Sequence, residues 1–254
     1  MLLKGLDMDA RRVLGTMVLL SCVAVWATAT AKEPSAELLK RLAEHDARLD
    51  QIDDQGSFTT DTINEELDRS GKVVHTLELL VRTTHLEGKK RELLGKALKD
   101  GKDVTQEYKD KLKAEGPSQA KEMRLPFSTK QQRDYLFKEI GSDPSNPSLL
   151  RIHFEPKGSW SEKLMIGDAV VDPASGEVLR ITARQSAPDS SVDYLDLDFW
   201  FDEQTQLGRA PSKVAMKGEG GFLFLKSRFR HMVVYSGYDL SAIGIQEAGK
   251  GAAR

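Results

Sequence analysis

Asp193 to Gly208 reads DYLDLDFWFDEQTQLG, and its first ten residues decide the fold. Leu195, Leu197, Phe199 and Phe201 alternate with Asp196, Asp198, Trp200 and Asp202. A period of two puts the first set on one face of a strand and the second on the other, the pattern of a half-buried antiparallel strand. Trp200 breaks the pattern by standing on the face that the aspartates keep wet. Glu203 to Gly208 then reads as a turn.

Outward from this strand the alternation recurs. Leu150, Ile152 and Phe154 alternate with Arg151, His153 and Glu155. Leu164–Val171 runs into the turn Asp172-Pro173-Ala174-Ser175-Gly176, and Val178–Arg184 alternates again. Tyr135–Ile140 is a further strand, followed by a stretch with two prolines and a glycine. Lys213–Lys217 and Phe222–Tyr235 follow, with Gly218-Glu219-Gly220-Gly221 between them read as a turn or bulge. In the last strand Leu223, Leu225, Phe229, Val233 and Tyr235 share a face.

Toward the N-terminus, Leu38, Leu39, Leu42, Ala43 and Leu49 recur at helical spacing after Ser35, which predicts an amphipathic helix. Ser57–Leu67, the turn Asp68-Arg69-Ser70-Gly71 and Lys72–Thr84 predict a hairpin, with His75, Leu77, Leu79 and Val81 on one side of its second strand. Between 86 and 124 helix-forming residues are interrupted by Gly88, Gly95 and Gly101. A strand over Lys90–Leu98 and a short helix over Thr105–Ala114 reconcile the two signals. The sum is nine or ten antiparallel strands in a meander, with a helix in front and short helices inserted, an α+β chain.

Bulk composition is that of a globular protein: 254 residues, 30% charged and 39% apolar, with net charge −2. Lys4, Arg11 and Arg12 precede an uncharged run from Val13 to Ala31 that closes on Ala29-Thr30-Ala31. A basic start, an apolar middle and a small-residue end mark a secretory signal, expected to be cut after Ala31. The run is short for a membrane span and its last third is weakly hydrophobic. Leu19-Leu20-Ser21-Cys22 matches part of a lipobox. The apolar run continues through Trp26, however, so a lipid anchor on Cys22 is not expected. Loss of residues 1–31 removes the single cysteine and leaves a net charge of −3. That excludes disulfides and thiol chemistry, and the net charge suggests no nucleic-acid or anionic-membrane partner. The expected organisation is a signal over 1–31, one domain over 32–240, and a flexible tail over 241–254.

The five histidines, His45, His75, His85, His153 and His231, lie at no metal-ligand spacing, and no nucleophile or phosphate-binding motif is present. Asp196, Asp198 and Asp202 read as a solvated outer face rather than a Ca²⁺ site. The sequence predicts neither an enzyme nor a cofactor. The aromatic residues crowd the second half of the chain, where they either fill a core or line a pocket.

Two units, LMIGDAVVDPASGEVLRITA and LDLDFWFDEQTQLGRAPSKVAMKGEG, carry a resemblance. Asp172-Pro173-Ala174-Ser175-Gly176 and Asp202-Glu203-Gln204-Thr205-Gln206-Leu207, followed by Ala210-Pro211, resemble turns of the outer-membrane lipoprotein-sorting proteins, the LolA/LolB-like superfamily. The order of signal, helix and hairpin is similar too. The resemblance spans about residues 34–240 and rests on turn motifs of low specificity. It implies an unclosed antiparallel half-barrel of about nine to eleven strands over the N-terminal helix. It also implies a periplasmic location and an apolar cavity for lipid or acylated lipoprotein cargo. The cavity wall would then comprise Leu77, Leu79, Ile152, Phe154, Leu179, Ile181, Leu195, Leu197, Phe199, Phe201, Leu225 and Phe229. The same fold also suits a monomeric envelope sensor or interaction module with a protein partner. No residue role is carried over, and the charged stretch from Leu86 to Met123 exceeds the compact carriers.

Overall fold

The computed structural model describes residues 32–86, 89–115, 125–158, 160, 161, 163–187, 192–222, 225–241 and 243. The expected signal over 1–31, with Cys22, lies outside the described residues, as do Leu223 and the side chain of Leu225.

The leucine-spaced segment forms α1, Ala36–Gln55. Ser35 caps it, its Oγ accepting the Leu38 N–H at 3.1 Å and satisfying a donor that the first turn leaves open. Strands β1 (Ser57–Leu67), β2 (Val73–Leu86), β3 (Lys89–Lys99) and the two-residue β4 (Lys102–Asp103) lead to α2, Thr105–Glu115. A 3-10 turn at Gln132–Asp134 precedes β5 (Tyr135–Ser142), β6 (Leu150–Pro156), β7 (Met165–Val171), β8 (Val178–Gln185) and β9 (Val192–Trp200). A small hairpin of β10 (Glu203–Thr205) and β11 (Gly208–Ala210) separates these from β12 (Lys213–Phe222) and β13 (Leu225–Asp239).

Eleven strands make one antiparallel sheet in the order β4-β3-β2-β1-β13-β12-β9-β8-β7-β6-β5. The two edges, β5 and β3 with its stub β4, do not pair, so the sheet is an unclosed half-barrel. Its middle is a seam between the first and last long strands, with Thr62 opposite Val233. The helix α1 lies on one face. Leu38 and Leu42 pack there with Phe127, Phe137, Ile152, Phe154, Ile181 and Leu197 in the main core.

The two turn motifs hold the helix in place. Arg41 Nη1 donates to the carbonyl oxygens of Pro173 and Ala174 at 3.2 and 2.9 Å. Gly176 adopts φ +73°, a left-handed geometry, and a Cβ there would lie 2.2 Å from the Arg41 Cβ. From the β10–β11 hairpin, the Arg209 N–H donates to Glu177 Oε1 at 3.0 Å. Between them His45 is fully buried. Its Nδ1 accepts the Val178 N–H at 3.4 Å, so its Nε2–H donates to the Arg209 carbonyl at 3.0 Å. Burial pushes the imidazole below its ordinary pKa and keeps it neutral.

One local expectation changes. Gly218 to Gly221 do not turn the chain; they continue β12, Gly218 standing between Leu195 and Phe229. A Cβ at Gly218 would come within 2.7 Å of the Phe229 ring and 2.9 Å of the Tyr194 carbonyl. The glycine there serves a close approach between strands, and only a register shift at Glu219/Gly220 remains of the expected bulge. Ile243 packs with Leu240, Ile52 and Ala210 in a second cluster, and residues 242 and 244–254 of the expected tail lie outside the described residues.

Trp200 finds its role on the outer face. The Lys213 ammonium lies 4.8 Å and the Arg180 guanidinium 5.2 Å from its ring. At an exposed site each such contact is worth about 0.5–1 kcal/mol. The wet-face aromatic thus ties β8, β9 and β12 together from outside.

Candidate functional site: a groove beside the second helix

The register fixes which side chains share the helix-bearing face. Met216 packs on the main core. It lies in a row with His231 of β13, Asn64 of β1, Leu77 of β2 and Lys99 of β3. The next row runs Gly218, Phe229, Glu66 and His75. Over these rows stands α2. Its start is stitched to β3: the Val104 N–H donates to the Ala97 carbonyl at 3.0 Å, and Thr105 Oγ1 accepts the Ala97 N–H at 2.9 Å. The Asp103 carboxylate accepts the Thr105 N–H at 2.8 Å and is held below its ordinary range, first by the Thr105 hydroxyl.

The turn before α2 is equally fixed. Asp100, at φ +51°, and Gly101, at φ +77°, reverse the chain. The Asp100 carboxylate accepts the Thr76 N–H at 2.8 Å and meets His75 Nδ1 at 3.1 Å. These two contacts, the Thr76 N–H foremost, lower its pKa.

Between α2 and the sheet a groove of about 500 Å³ remains. Leu77, Val104, Tyr108 and Phe229 supply apolar wall, while Asn64, Glu66, His75, Lys99, Glu107 and Lys111 supply polar groups. Just inside, His231 Nδ1 bonds Asn64 Oδ1. Burial lowers the pKa of His231 and favours the neutral ring. Such a site can hold an amphipathic molecule by contact and hydrogen bonding. Among the described residues no group of three His, Cys, Asp or Glu side chains is placed to hold a metal ion.

The residues named from the sequence are divided by the fold. Ile152, Phe154, Ile181, Leu197, Phe199 and Phe201 are packed together in the main core under α1, with Leu195 partly buried against them. Leu179 is half-buried at a register shift where Val178 takes the core position. Leu77 and Phe229 line the groove. Leu79 lies one row further in, between Thr62 and Ala97. Leu225 contributes only its pairing with Phe222 to what is described. Sequence reasoning missed Val104, Tyr108, Asn64, Glu66 and His75. A signal existed in β1, where Thr60, Thr62, Asn64 and Glu66 form a polar set on the face that β2 fills with Leu77 and Leu79.

No protein-family model matches the chain, and no curated protein matches it. Solved structures do. A DUF1329 family protein from Desulfovibrio piger is 14% identical over 82% of this chain and 93% of its own, with a TM-score of 0.37. A LolA superfamily protein from Nitrosomonas europaea is 11% identical over 77% and 93%, with a TM-score of 0.34. The MucA/MucB complex of Pseudomonas aeruginosa contains a chain 12% identical over 79% and 94%, with a TM-score of 0.25. At these identities and scores no residue role passes from those proteins to this chain.

Proposed function

We propose that the protein is exported to the periplasm and binds lipid, or the acyl chains of a lipoprotein, in the groove between α2 and the sheet. The observation that carries this reading is an unfilled groove of about 500 Å³ on the same face whose other half is packed solid. Small-molecule sites commonly span about 300–1,000 Å³ and combine apolar walls with a few polar groups. Leu77, Val104, Tyr108 and Phe229 take the chain, and Asn64, His75 and Lys99 meet a polar head. Leu79 extends the wall inward. Each buried CH₂ contributes about 0.8 kcal/mol, enough for retention without a reacting group. The basic start and apolar run ending at Ala31 support export. A carrier of this kind acts as a monomer that releases its cargo to an acceptor.

Native mass spectrometry of the protein purified gently from its own periplasm tests the reading. The expected spectrum carries adducts at phospholipid or acyl-peptide masses, lost in Phe229→Asp and Leu77→Asp variants whose circular dichroism is unchanged. A clean apo mass that takes up no added lipid would overturn it.

A further inference from the structure

We propose that the outer edge of β3 is a docking site for an extended acidic segment of a partner protein, which adds to the sheet as a further strand. The two edges differ. Along β5 the chain's own N-terminal residues intervene: the Glu139 N–H donates to the Lys32 carbonyl at 2.6 Å, an antiparallel bridge. Along β3 the stub β4 pairs only with Leu98 and Lys99, and Ala97 is satisfied by Val104 and Thr105. From Lys89 to Lys96 no strand among the described residues covers the edge. An edge of this length presents a row of open backbone groups, a ready template for one more strand.

The chemistry of the edge selects its occupant. The strand KKRELLGKALK carries Lys89, Lys90, Arg91, Lys96 and Lys99 against the single acid Glu92. Lys90 reaches Asp53 at 2.7 Å and Lys99 lines the groove; Lys89, Arg91 and Lys96 stand along the exposed edge. Like charges drive off a second copy of β3, whereas an acidic strand meets complementary charge. Leu93, 58% exposed, offers an apolar anchor at the same edge, with Leu80, 41% exposed, beside it on the outer face. The fitting partner is therefore an extended segment that alternates acidic with apolar residues, an apolar one resting against Leu93.

This does not rest on the occupant of the groove, and Phe229→Asp is expected to leave it unchanged, so each reading can fail alone. Hydrogen exchange of the full chain, followed by mass spectrometry, tests it with three synthetic ten-residue probes. One alternates Glu with Val, one alternates Lys with Val, and one is the acidic peptide with every second amide N-methylated. The acidic peptide is expected to slow exchange in segment 89–97 about tenfold, while the other two leave it unchanged. The triple variant K89E/R91E/K96E is expected to prefer the Lys peptide. Equal protection by the N-methylated peptide would mean charge attraction without strand addition and would overturn the proposal. So would protection confined to the groove, protection by the protein's own concentration without peptide, or no protection by the acidic probe.

Discussion

Between β5 and β9, Phe154, Ile181 and Leu197 are at most 1% exposed, with Leu42 and Phe127 closed over them. Between β1 and β3, the same strand alternation turns Thr62, Asn64 and Glu66 inward beside Leu79 and Leu77; Glu66 is exposed and the others stay half-buried. What differs is the cover. The helix α1 brings Leu38, Leu39, Leu42 and Leu49 at helical spacing and seals what it crosses. The helix α2, TQEYKDKLKAE, has Tyr108 on the groove and leaves Leu112 44% exposed. It has too little apolar surface to close its half. An inward-facing residue becomes core only when the layer above can reach it.

The comparison breaks most visibly under truncation. Phe154→Ala is expected to lower stability by about 3–5 kcal/mol, the cost of a large cavity in a closed core. Phe229→Ala is expected to cost about 1 kcal/mol, because much of its surface faces the groove. Urea unfolding of both variants measures the difference; equal losses would mean the groove is core as well.

At the boundary between the halves, Gly218→Ala forces a Cβ against the Phe229 ring. It is expected to cost about 1–3 kcal/mol through overpacking and to weaken lipid adducts as the ring swings into the groove. Unfolding midpoints and native masses would both have to move.

Acid sharpens the contrast with a smaller effect. His45 has a folded pKa lowered from 6.5 by burial, so the unfolded chain takes up a proton that the fold refuses. Its contribution is therefore complete above pH 6.5 and is lost as pH falls below that value, by up to about 1.4 kcal/mol per pH unit. His231, lowered by burial as well, has the same sign on the groove side. Unfolding between pH 7.5 and 5 is expected to flatten more in His45→Gln than in His231→Gln, since His45 is sealed and His231 is half-buried. The reverse order would place the better-enclosed face over the wrong half.

Much of the fold is legible in the sequence because its signals are local. The Ser35 cap and leucine spacing announce α1, and period-two alternation announces β6 and β9. Even the charged stretch resolves into β3 and α2 once Gly101 is read as a turn. What is not legible is long-range. Glycines at 218–221 look like a turn until the Phe229 ring is known to lie against Gly218. Alternation assigns Leu197 and Leu77 alike to an inner face, yet cannot say that one meets Leu42 and the other an open groove. The groove's polar residues were visible as a polar β1 face opposite a greasy β2, a mismatch with meaning only after the two are paired.

The seam at Thr62 and Val233 has a consequence in time. Strands β5 to β9 pair with their sequence neighbours, so that half can assemble hairpin by hairpin as the chain emerges. The floor of the groove cannot. Strand β1 emerges soon after α1, and its second neighbour is the last strand made, so the loop to be closed spans nearly the whole domain. Closures of that kind are the slow ones. The half that carries the groove is therefore the last to be completed, and a chain stopped before β13 would build the solid half without it.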